Sequence, residues 1–489
     1  MTRVVFVNPL DSSITTTGLG LKAPPLNLMY LAGAVEQAGF SPSIVDANLL
    51  NAPPEKITEI VARLHPDLVG LTATTATISK AFQYVRKIRD AVPECFIFIG
   101  GPHVTFLPSE TLAECRELNA VVIGEGEETV VDLVTSFSMT DPHWPETVRG
   151  IAYRRNDGDR ERIVVTPARE LIQNLDALPF PARHLVPFNE YKLFDKDATI
   201  GYMITSRGCT FASNYCSSSH LMGGMFRARS PKNVVDEVEE LVSTYHVDTI
   251  EFLDDNFMLN RSRAIDIAHE IRSRGLDISF VASSRVNAVN RDLLMELKKA
   301  GLSTIYYGVE SGSLRTLKLM NKRITLSMAE DAVRIAKDCG ISVLTSFIIG
   351  YPGETYEDMN ATIRFAIRLD PDYAQFTILT PYPGTPIFQE LKKNNLLATE
   401  DWDRYTVLEP IIRYEAYGLT SRKISRKLKE AYLRFYLRPG YLFRRSGLLK
   451  TVLYTLYHSY FRPAFLHSDP QGWYRNFPGN ELSDCEKGT

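Results

Sequence analysis

The residues most able to do chemistry in this 489-residue chain are two cysteines that share one loop. The segment Ser206-Arg207-Gly208-Cys209-Thr210-Phe211-Ala212-Ser213-Asn214-Tyr215-Cys216 directly follows the apolar run Ile200–Thr205. Soft thiolates held close together suit zinc or an iron–sulfur cluster. Two ligands do not build a structural zinc site, and no CxxC pair stands elsewhere to complete one. On spacing alone the alternative is two core cysteines in a common loop, because free cysteine often behaves as a small buried hydrophobe. Cys95, Cys115, Cys339 and Cys485 are scattered along the chain. That pattern speaks against a disulfide framework and for a reducing, cytoplasmic compartment.

Strands and helices must hold such a loop in place, and the chain around it reads as a βα series. Strands are expected at Ile200–Thr205, Thr249–Leu253, Ile278–Ala282, Thr304–Val309, Val343–Ile349 and Ala374–Thr380. Helix-like segments at 231–245, 262–274, 291–300, 327–339 and 355–369 separate them, with Gly275, Gly301 and Gly340 just past three of these as C-cap chemistry expects. Six such units over residues 196–400 match a partial (β/α)6 barrel better than a closed eight-unit one. Reactive residues should then gather at the strands' carboxyl ends.

Residues 1–140 form an earlier α/β series: Val4–Val7, Ser43–Asp46, Leu68–Leu71, Cys95–Ile99 and Ala120–Ile123 alternate with helical patterns. Continuous apolar strands linked by helices indicate a doubly wound parallel sheet. Small and glycine-rich residues follow the strands, where open α/β sheets bind ligands. No G-x-G-x-x-G follows Asn8-Pro9, and no Walker A sequence occurs, which argues against dinucleotides and ATP. Residues 141–195 are expected to hold a hairpin (Ile151–Arg154, Ile163–Thr166) and a Pro-rich linker, Leu178-Pro179-Phe180-Pro181. Residues 401–489 read as a helical C-terminal region. Between Arg422 and Lys450 ten Lys/Arg face one acid, Glu430, and an aromatic-leucine run extends to Phe465. This is either a helix closing the barrel or a peripheral membrane surface suited to a lipid or tetrapyrrole substrate.

The cysteine segment resembles the CxxxCxxC signature of the radical S-adenosylmethionine (SAM) enzymes, with Cys209 first and Cys216 last. Phe252-Leu253-Asp254-Asp255-Asn256-Phe257, Gly308-Val309-Glu310-Ser311-Gly312, Gly350-Tyr351-Pro352-Gly353-Glu354-Thr355 and Pro381-Tyr382-Pro383-Gly384-Thr385-Pro386 continue the resemblance in order at strand ends. It implies a [4Fe–4S] cluster held by three thiolates, a free iron that chelates SAM, and an electron donor such as ferredoxin or flavodoxin. The implied SAM contacts are Phe211 and Tyr215, Asp254 and Asp255 near the methionyl amino group or substrate, and Ser283 and Arg285 on its carboxylate. Glu310 and Ser311 would lie by the ribose, and Gly350 and Gly353 would let backbone approach the adenine. The family's middle cysteine falls at position 213, which is Ser213. Serine is a harder and far more basic ligand. A degenerate paralogue and a natural variant using alkoxide or water are alternatives. The intact surrounding motifs favour a Cys→Ser substitution in a competent scaffold, with weakened or absent radical chemistry.

Placed before such a barrel, residues 1–140 resemble the cobalamin-binding domain of the B12-dependent radical SAM subfamily. The resemblance implies cobalamin contacts at Asn8, Thr72, Thr74, Thr75, Gly100, Gly101, His103, Gly124, Glu125 and Gly126. The D-x-H-x-x-G cobalt-ligand sequence of other B12 proteins is absent. Its implied activity is methylation of an unactivated carbon of a small molecule through a 5′-deoxyadenosyl radical. A magnesium-protoporphyrin ester cyclase type of reaction, a non-catalytic corrinoid carrier and a zinc scaffold are the alternatives. A net charge of −3 speaks against a generally basic nucleic-acid binder.

Overall fold

The computed structural model describes residues 2–11, 23–141, 143–157, 160–191 and 200–444. The chain divides into two compact units, residues 1–438 and 439–489. Of the second, the described part is the short helix Pro439–Arg444.

The first sheet is built from β1 (Val4–Asn8), β2 (Ser43–Asp46), β3 (Leu68–Thr72), β4 (Phe96–Gly100), β5 (Ala120–Val122), β6 (Ile151–Asp157) and β7 (Arg160–Val165), in the order β2-β1-β3-β4-β5-β6-β7. The pairs among β1 to β5 are all parallel. Alternation along each strand explains the two covered faces. Val5, Val7, Val69, Leu71, Ile97 and Ile99 pack on helices Pro54–Arg63 and Ile78–Ala91. Val4, Phe6, Leu68, Phe98 and Ala120 meet helices Leu26–Gln37 and Glu127–Ser136 on the other face. The order reverses between β1 and β3, which opens a crevice at their carboxyl ends.

The expected hairpin does not sit apart in a linker. β6 pairs antiparallel with β5, Val122 opposite Ile151, so the sheet is mixed rather than wholly parallel. Ile151, Ala152 and Tyr153 are at most 2% exposed. An isolated hairpin is marginal in water, whereas these apolar residues complete the core beside the three-residue strand β5. The Pro-rich linker lies against helix Leu26–Gln37, where a Cβ on Gly33 would meet the Phe180 carbonyl at 2.7 Å.

The second sheet comprises β8 (Ile200–Met203), β11 (Thr249–Phe252), β12 (Ser279–Ser284), β13 (Leu302–Glu310), β14 (Ser342–Ile349) and β15 (Tyr373–Ile378), in order β15-β14-β13-β12-β11-β8. All its pairs are parallel, and each strand starts and stops within about two residues of its expected place, the usual uncertainty of strand ends. A small ribbon, β9 (Ser206–Arg207) with β10 (Arg227–Ala228), brackets the cysteine loop. Side-chain caps start the covering helices: Ser230, Asn260, Asn290 and Thr325 each accept an orphan backbone N–H.

Among the described residues, no further strand pairs with the open edge of β15. Helix Ser421–Tyr436 covers it, with Tyr436 and Tyr432 four residues apart on one face. The Tyr436 hydroxyl donates to the Ala374 carbonyl at 2.8 Å and accepts from the Ala374 N–H at 3.1 Å. Tyr432 does the same for Phe376 at 2.9 and 3.2 Å. Phenol hydroxyls thus replace strand pairing at a sheet edge. Lys427 is buried, donating to Asn360 Oδ1 at 2.8 Å and Glu430 Oε2 at 2.6 Å. This part of the basic stretch is therefore a barrel-closing helix. The aromatic run from Leu448 to Phe465 lies outside the described residues. Among the described residues, no helix is long and apolar enough to cross a membrane.

Candidate cofactor crevice and cysteine loop

A cavity of about 290 Å³ lies where the carboxyl ends of the first sheet meet the loop after β8. Thr72, Gly100, Gly101, Gly124, Glu125 and Gly126 line its sheet side. Tyr30, Ile204, Arg207, Gly208, Leu253 and Asp255 are among the residues opposite. Nothing stands within 4 Å of where a Gly124 Cβ would be, and a Gly100 Cβ would meet only Val122, at 3.7 Å. A floor of bare backbone under walls that mix apolar side chains with Arg207, Glu125 and Asp255 fits a large planar group with polar edges such as a corrin. Among the described residues, no imidazole lines the cavity.

Four expected cobalamin contacts are not brought to it. Asn8 donates to Asp46 Oδ1 at 2.8 Å. The Thr74 hydroxyl faces that of Thr77, and Thr75 faces His103 Nδ1 at 3.1 Å. His103 is 2% exposed, with its ring 4.8 Å from that of Trp402, and burial lowers its pKa to about 4. The turn after β4 aims this ring into the core, so His103 is a packed core histidine rather than a ligand facing the crevice.

Arg207 joins the two sheets. It donates to Glu125 Oε1 at 2.6 Å and Glu127 Oε1 at 2.5 Å. Arg227 and the Ile172 N–H occupy the other Glu125 oxygen, each at 2.8 Å. Burial pushes the Glu125 carboxyl up, but the hydrogen bonds from Arg227 and Arg207 outweigh it and hold the pKa below the usual value. Glu125 is therefore an anionic bridge between sheet and barrel. Arg207 and Glu127 lie within segments that carry the family resemblance, but Arg227 sits in no binding pattern that sequence alone could isolate.

In the cysteine loop, Gly208 has φ +85°, and a Cβ there would lie 2.1 Å from the Met225 carbonyl oxygen. Only glycine allows that turn. Asp254 is buried and accepts from the Thr205 N–H at 2.7 Å and from the Thr205 and Ser206 hydroxyls at 2.5 Å. Its carboxylate thus anchors the turn before the cysteines, and burial outweighs these bonds to raise its pKa. Asp255 accepts from the Gly208 N–H at 3.2 Å and lines the cavity. Asn214 and Asn321 tie the loop to the segment after β13 through the Leu319 and Ala212 carbonyls, at 2.9 and 2.6 Å.

The donor set is two thiols and one hydroxyl. Burial raises the Cys216 pKa, partly countered by the backbone N–H groups of Ser219 and Ser218. Ser213 is 4% exposed in the same loop. Among the described residues, no third His, Cys, Asp or Glu completes a metal-holding group here. Cys209 and Cys216 suit two corners of an iron–sulfur cluster, but Ser213 does not supply a third thiolate.

Arg285 stacks on Phe211, its Cζ 3.8 Å from the ring centroid, and donates to the Lys322 carbonyl. Lys322 donates to Glu310 Oε1 at 2.8 Å and to the Tyr215 hydroxyl at 3.2 Å. Glu310 has φ +71° beside an irregularity in β13. A Cβ on Gly308 would meet its carboxylate at 2.6 Å. A chain Phe211–Arg285–Lys322–Glu310 thus links the cysteine loop to the barrel mouth, and Lys322 belongs to no recognisable motif. The Ser283 carbonyl accepts from the Phe257 N–H at 3.0 Å. Two expectations change place. Ser311 turns to the helix layer, 2.9 Å from Thr362 Oγ1. The space a Gly350 Cβ would need is taken by the Tyr414 hydroxyl at 2.8 Å, so the close approach there comes from the protein itself. A Gly353 Cβ would touch Leu319 at 3.5 Å.

Residues 203–366 match the family model described as the radical SAM superfamily, and residues 13–134 match the B12 binding domain. The chain is 41% identical over 442 residues to the uncharacterized methyltransferase PH0819 of Pyrococcus horikoshii, covering 90% of this chain and 94% of that protein. It is 32% identical to an anaerobic magnesium-protoporphyrin IX monomethyl ester cyclase of Cereibacter sphaeroides, covering 92% of this chain and 73% of the other. Its fold matches the radical SAM methyltransferase TsrM of Kitasatospora setae, solved with cobalamin and a [4Fe–4S] cluster, with TM-score 0.66. The two are 20% identical, and the match covers 81% of this chain and 75% of that one.

Proposed function

The chain belongs to the cobalamin-dependent radical SAM enzymes, and on that premise we propose that it methylates an unactivated carbon of a small-molecule substrate. The observation that carries this reading is the crevice itself: a glycine-floored, imidazole-free cavity that shares Arg207, Gly208 and Asp255 with the approach to the cysteine loop. A methyl carrier seated there lies beside the barrel mouth. Members of this family bind a [4Fe–4S] cluster, SAM and cobalamin, which together supply radical generation and a transferable methyl group. An electron donor is typical of the family, and the dispersed free cysteines fit a reducing, cytoplasmic setting.

This chain's own residues do the positioning. Gly100 and Gly124 keep the crevice floor clear of side chains, and Gly101 lets the backbone pass close to Ala73. Arg207 holds Glu125 and Glu127 to the barrel, and Asp254 and Asp255 shape the turn that presents Cys209. Arg285, Lys322 and Glu310 form a charged rim for a zwitterionic cofactor.

Ser213 is the departure, and it impairs cluster assembly in this chain while leaving the crevice intact. The test is anaerobic reconstitution with iron and sulfide of the native chain and Ser213→Cys, followed by metal analysis, absorption spectra and 5′-deoxyadenosine formation. The reading requires cobalamin binding by both chains, with cluster and SAM cleavage gained by the cysteine variant. Equal cluster content in the two defeats the account of Ser213. Cobalamin binding with no SAM cleavage in either favours a non-catalytic carrier.

Relatives named as cyclases favour one second reading, oxidative ring formation. Product mass separates the two, since methylation adds a methylene to the substrate and cyclisation removes hydrogen from it.

A further inference from the structure

The inner face of the second sheet holds side chains with room around them. Successive strands are neighbours in chain order, so right-handed crossovers put the helices on one face. Residues pointing to that face are sealed: Ile250, Phe252, Phe280, Ala282, Ile305, Tyr307, Val343 and Thr345 are at most 1% exposed. Their alternates, Tyr202, Glu251, Val281, Ser283, Tyr306 and Ser346, stay partly exposed in mid-sheet, and Gln375 is exposed. Water reaches this face, and so can a small ligand.

Glu251 stands level with Tyr202 on one side and Val281 on the other. Strand pairing brings such neighbours side by side on one face. Among the described residues Glu251 has no hydrogen-bond or ion-pair partner, and no cation offsets the burial that pushes its carboxyl up. Burial, then the charge of Glu251, pushes the Tyr202 hydroxyl up to about 12, which keeps it a neutral donor and acceptor. Farther round the face, Tyr306 donates to Gln375 Oε1 at 2.8 Å. Three deeply buried acids elsewhere are paired with cations: Glu125 with two arginines, Glu237 with Arg183 and Arg229, and Glu310 with Lys322. Buried Asp46, Asp254 and Glu354 are held by hydrogen bonds from backbone N–H, amide or hydroxyl groups. A half-buried carboxylate left alone on an open inner face lacks a counter-charge from the protein.

We propose that Glu251, with Tyr202 beside it, recognises a protonated nitrogen on the substrate, so that the substrate class is an amine-bearing small molecule. A charge-assisted hydrogen bond from an ammonium would satisfy the carboxylate and offset the desolvation of both charges. The inference rests on the barrel interior being the reaction chamber. An ammonium also occurs on SAM, and the test separates the two sources.

The full chain is titrated calorimetrically with phenethylammonium and with 2-phenylethanol, its uncharged counterpart. The native chain should bind the ammonium about tenfold more tightly, the effect of one charge-assisted bond. Glu251→Gln should erase that preference and, placed in the Ser213→Cys chain reconstituted with iron and sulfide, leave the affinity for SAM unchanged. Glu251→Asp, which keeps the charge, should retain part of the preference and serves if the glutamine variant fails to fold. Equal affinity for the two probes, binding of neither, or a preference that survives Glu251→Gln overturns the proposal. Loss of SAM binding in Glu251→Gln also overturns it, by assigning the carboxylate to the cofactor. The comparison of the amine and alcohol probes needs no cluster or cobalamin, so its failure leaves the methyltransferase reading standing. Failure of methyl transfer leaves the titration result standing.

Discussion

The crevice of the first sheet and the cysteine loop of the second meet at Arg207, yet they are specified in opposite ways. The crevice is made by what is missing: Gly100 and Gly124 leave bare backbone with open space above it. The loop is made by what is present: two thiols, a hydroxyl and the aspartates that shape the turn before them. A site of the first kind fails when atoms are added, and one of the second fails when a single donor changes. Position 213 is where the proposed function puts the second kind of failure, because Ser213 offers an oxygen where a third thiolate would be needed.

The largest expected effect therefore belongs to the loop. Ser213→Cys should raise iron after reconstitution toward about four atoms per chain, the content of a [4Fe–4S] cluster. Iron analysis checks this, and an unchanged count would mean that the loop, like the crevice, does not depend on one donor. In the crevice the matching change adds atoms. Gly100→Leu should weaken cobalamin binding at least about tenfold, a loss of about 1.4 kcal/mol, while the melting temperature moves little. Equilibrium dialysis measures the first and calorimetry the second.

Next comes the joint between the two. Arg207→Met strands Glu125 and Glu127 without their shared cation, and breaking such a buried pair costs about 3–5 kcal/mol. Urea denaturation should show that loss, together with weaker cobalamin binding. Loss of stability without loss of binding would make the joint purely structural. Glu125 has a lowered pKa, so its contribution is present above the ordinary carboxyl range and is lost as pH falls through its depressed folded-state value.

Two smaller effects lie outside both sites and calibrate the comparison. Tyr432→Phe removes the hydroxyl that serves the Phe376 N–H and carbonyl at the edge of β15, a change of about 1–3 kcal/mol. Asp358 completes the capping box of helix Tyr356–Leu369 with Thr355. Burial raises its pKa, but bonds from Ser313 and Thr355 and the nearby Arg315 outweigh that and bring it down to about 2. Its contribution is full above the ordinary carboxyl range and disappears as pH falls through about 2. Asp358→Asn should cost about 1 kcal/mol near neutrality, and the difference from the native chain should vanish in strong acid.

The apolar strands were legible because a strand buried on both faces must be apolar throughout, and the glycines past three barrel helices marked where those helices stop. Gly100, Gly124, Cys209 and Cys216 were legible for a similar reason, since their chemistry is intrinsic to the residue type. His103 misled because a histidine beside Gly-Gly-Pro reads the same whether its ring faces a ligand or the core, and a contact with Trp402, far along the chain, accompanies the second. The hairpin misled because its turn says nothing about which edge it will join. Lys322 and Arg227 went unseen because a charged residue acquires its meaning from a partner distant in sequence.

By itself, then, the sequence determined the two α/β layers, their order, the bare-backbone loops and the two-thiol donor set. These follow from periodicity and from side-chain chemistry, both of them local. Tertiary structure alone decided which carboxylates are paired, that Arg207 joins crevice to loop, that tyrosines seal β15, and that Glu251 has no ion-pair partner among the described residues. Each of those depends on charge, burial and distance between segments that only the folded chain brings together.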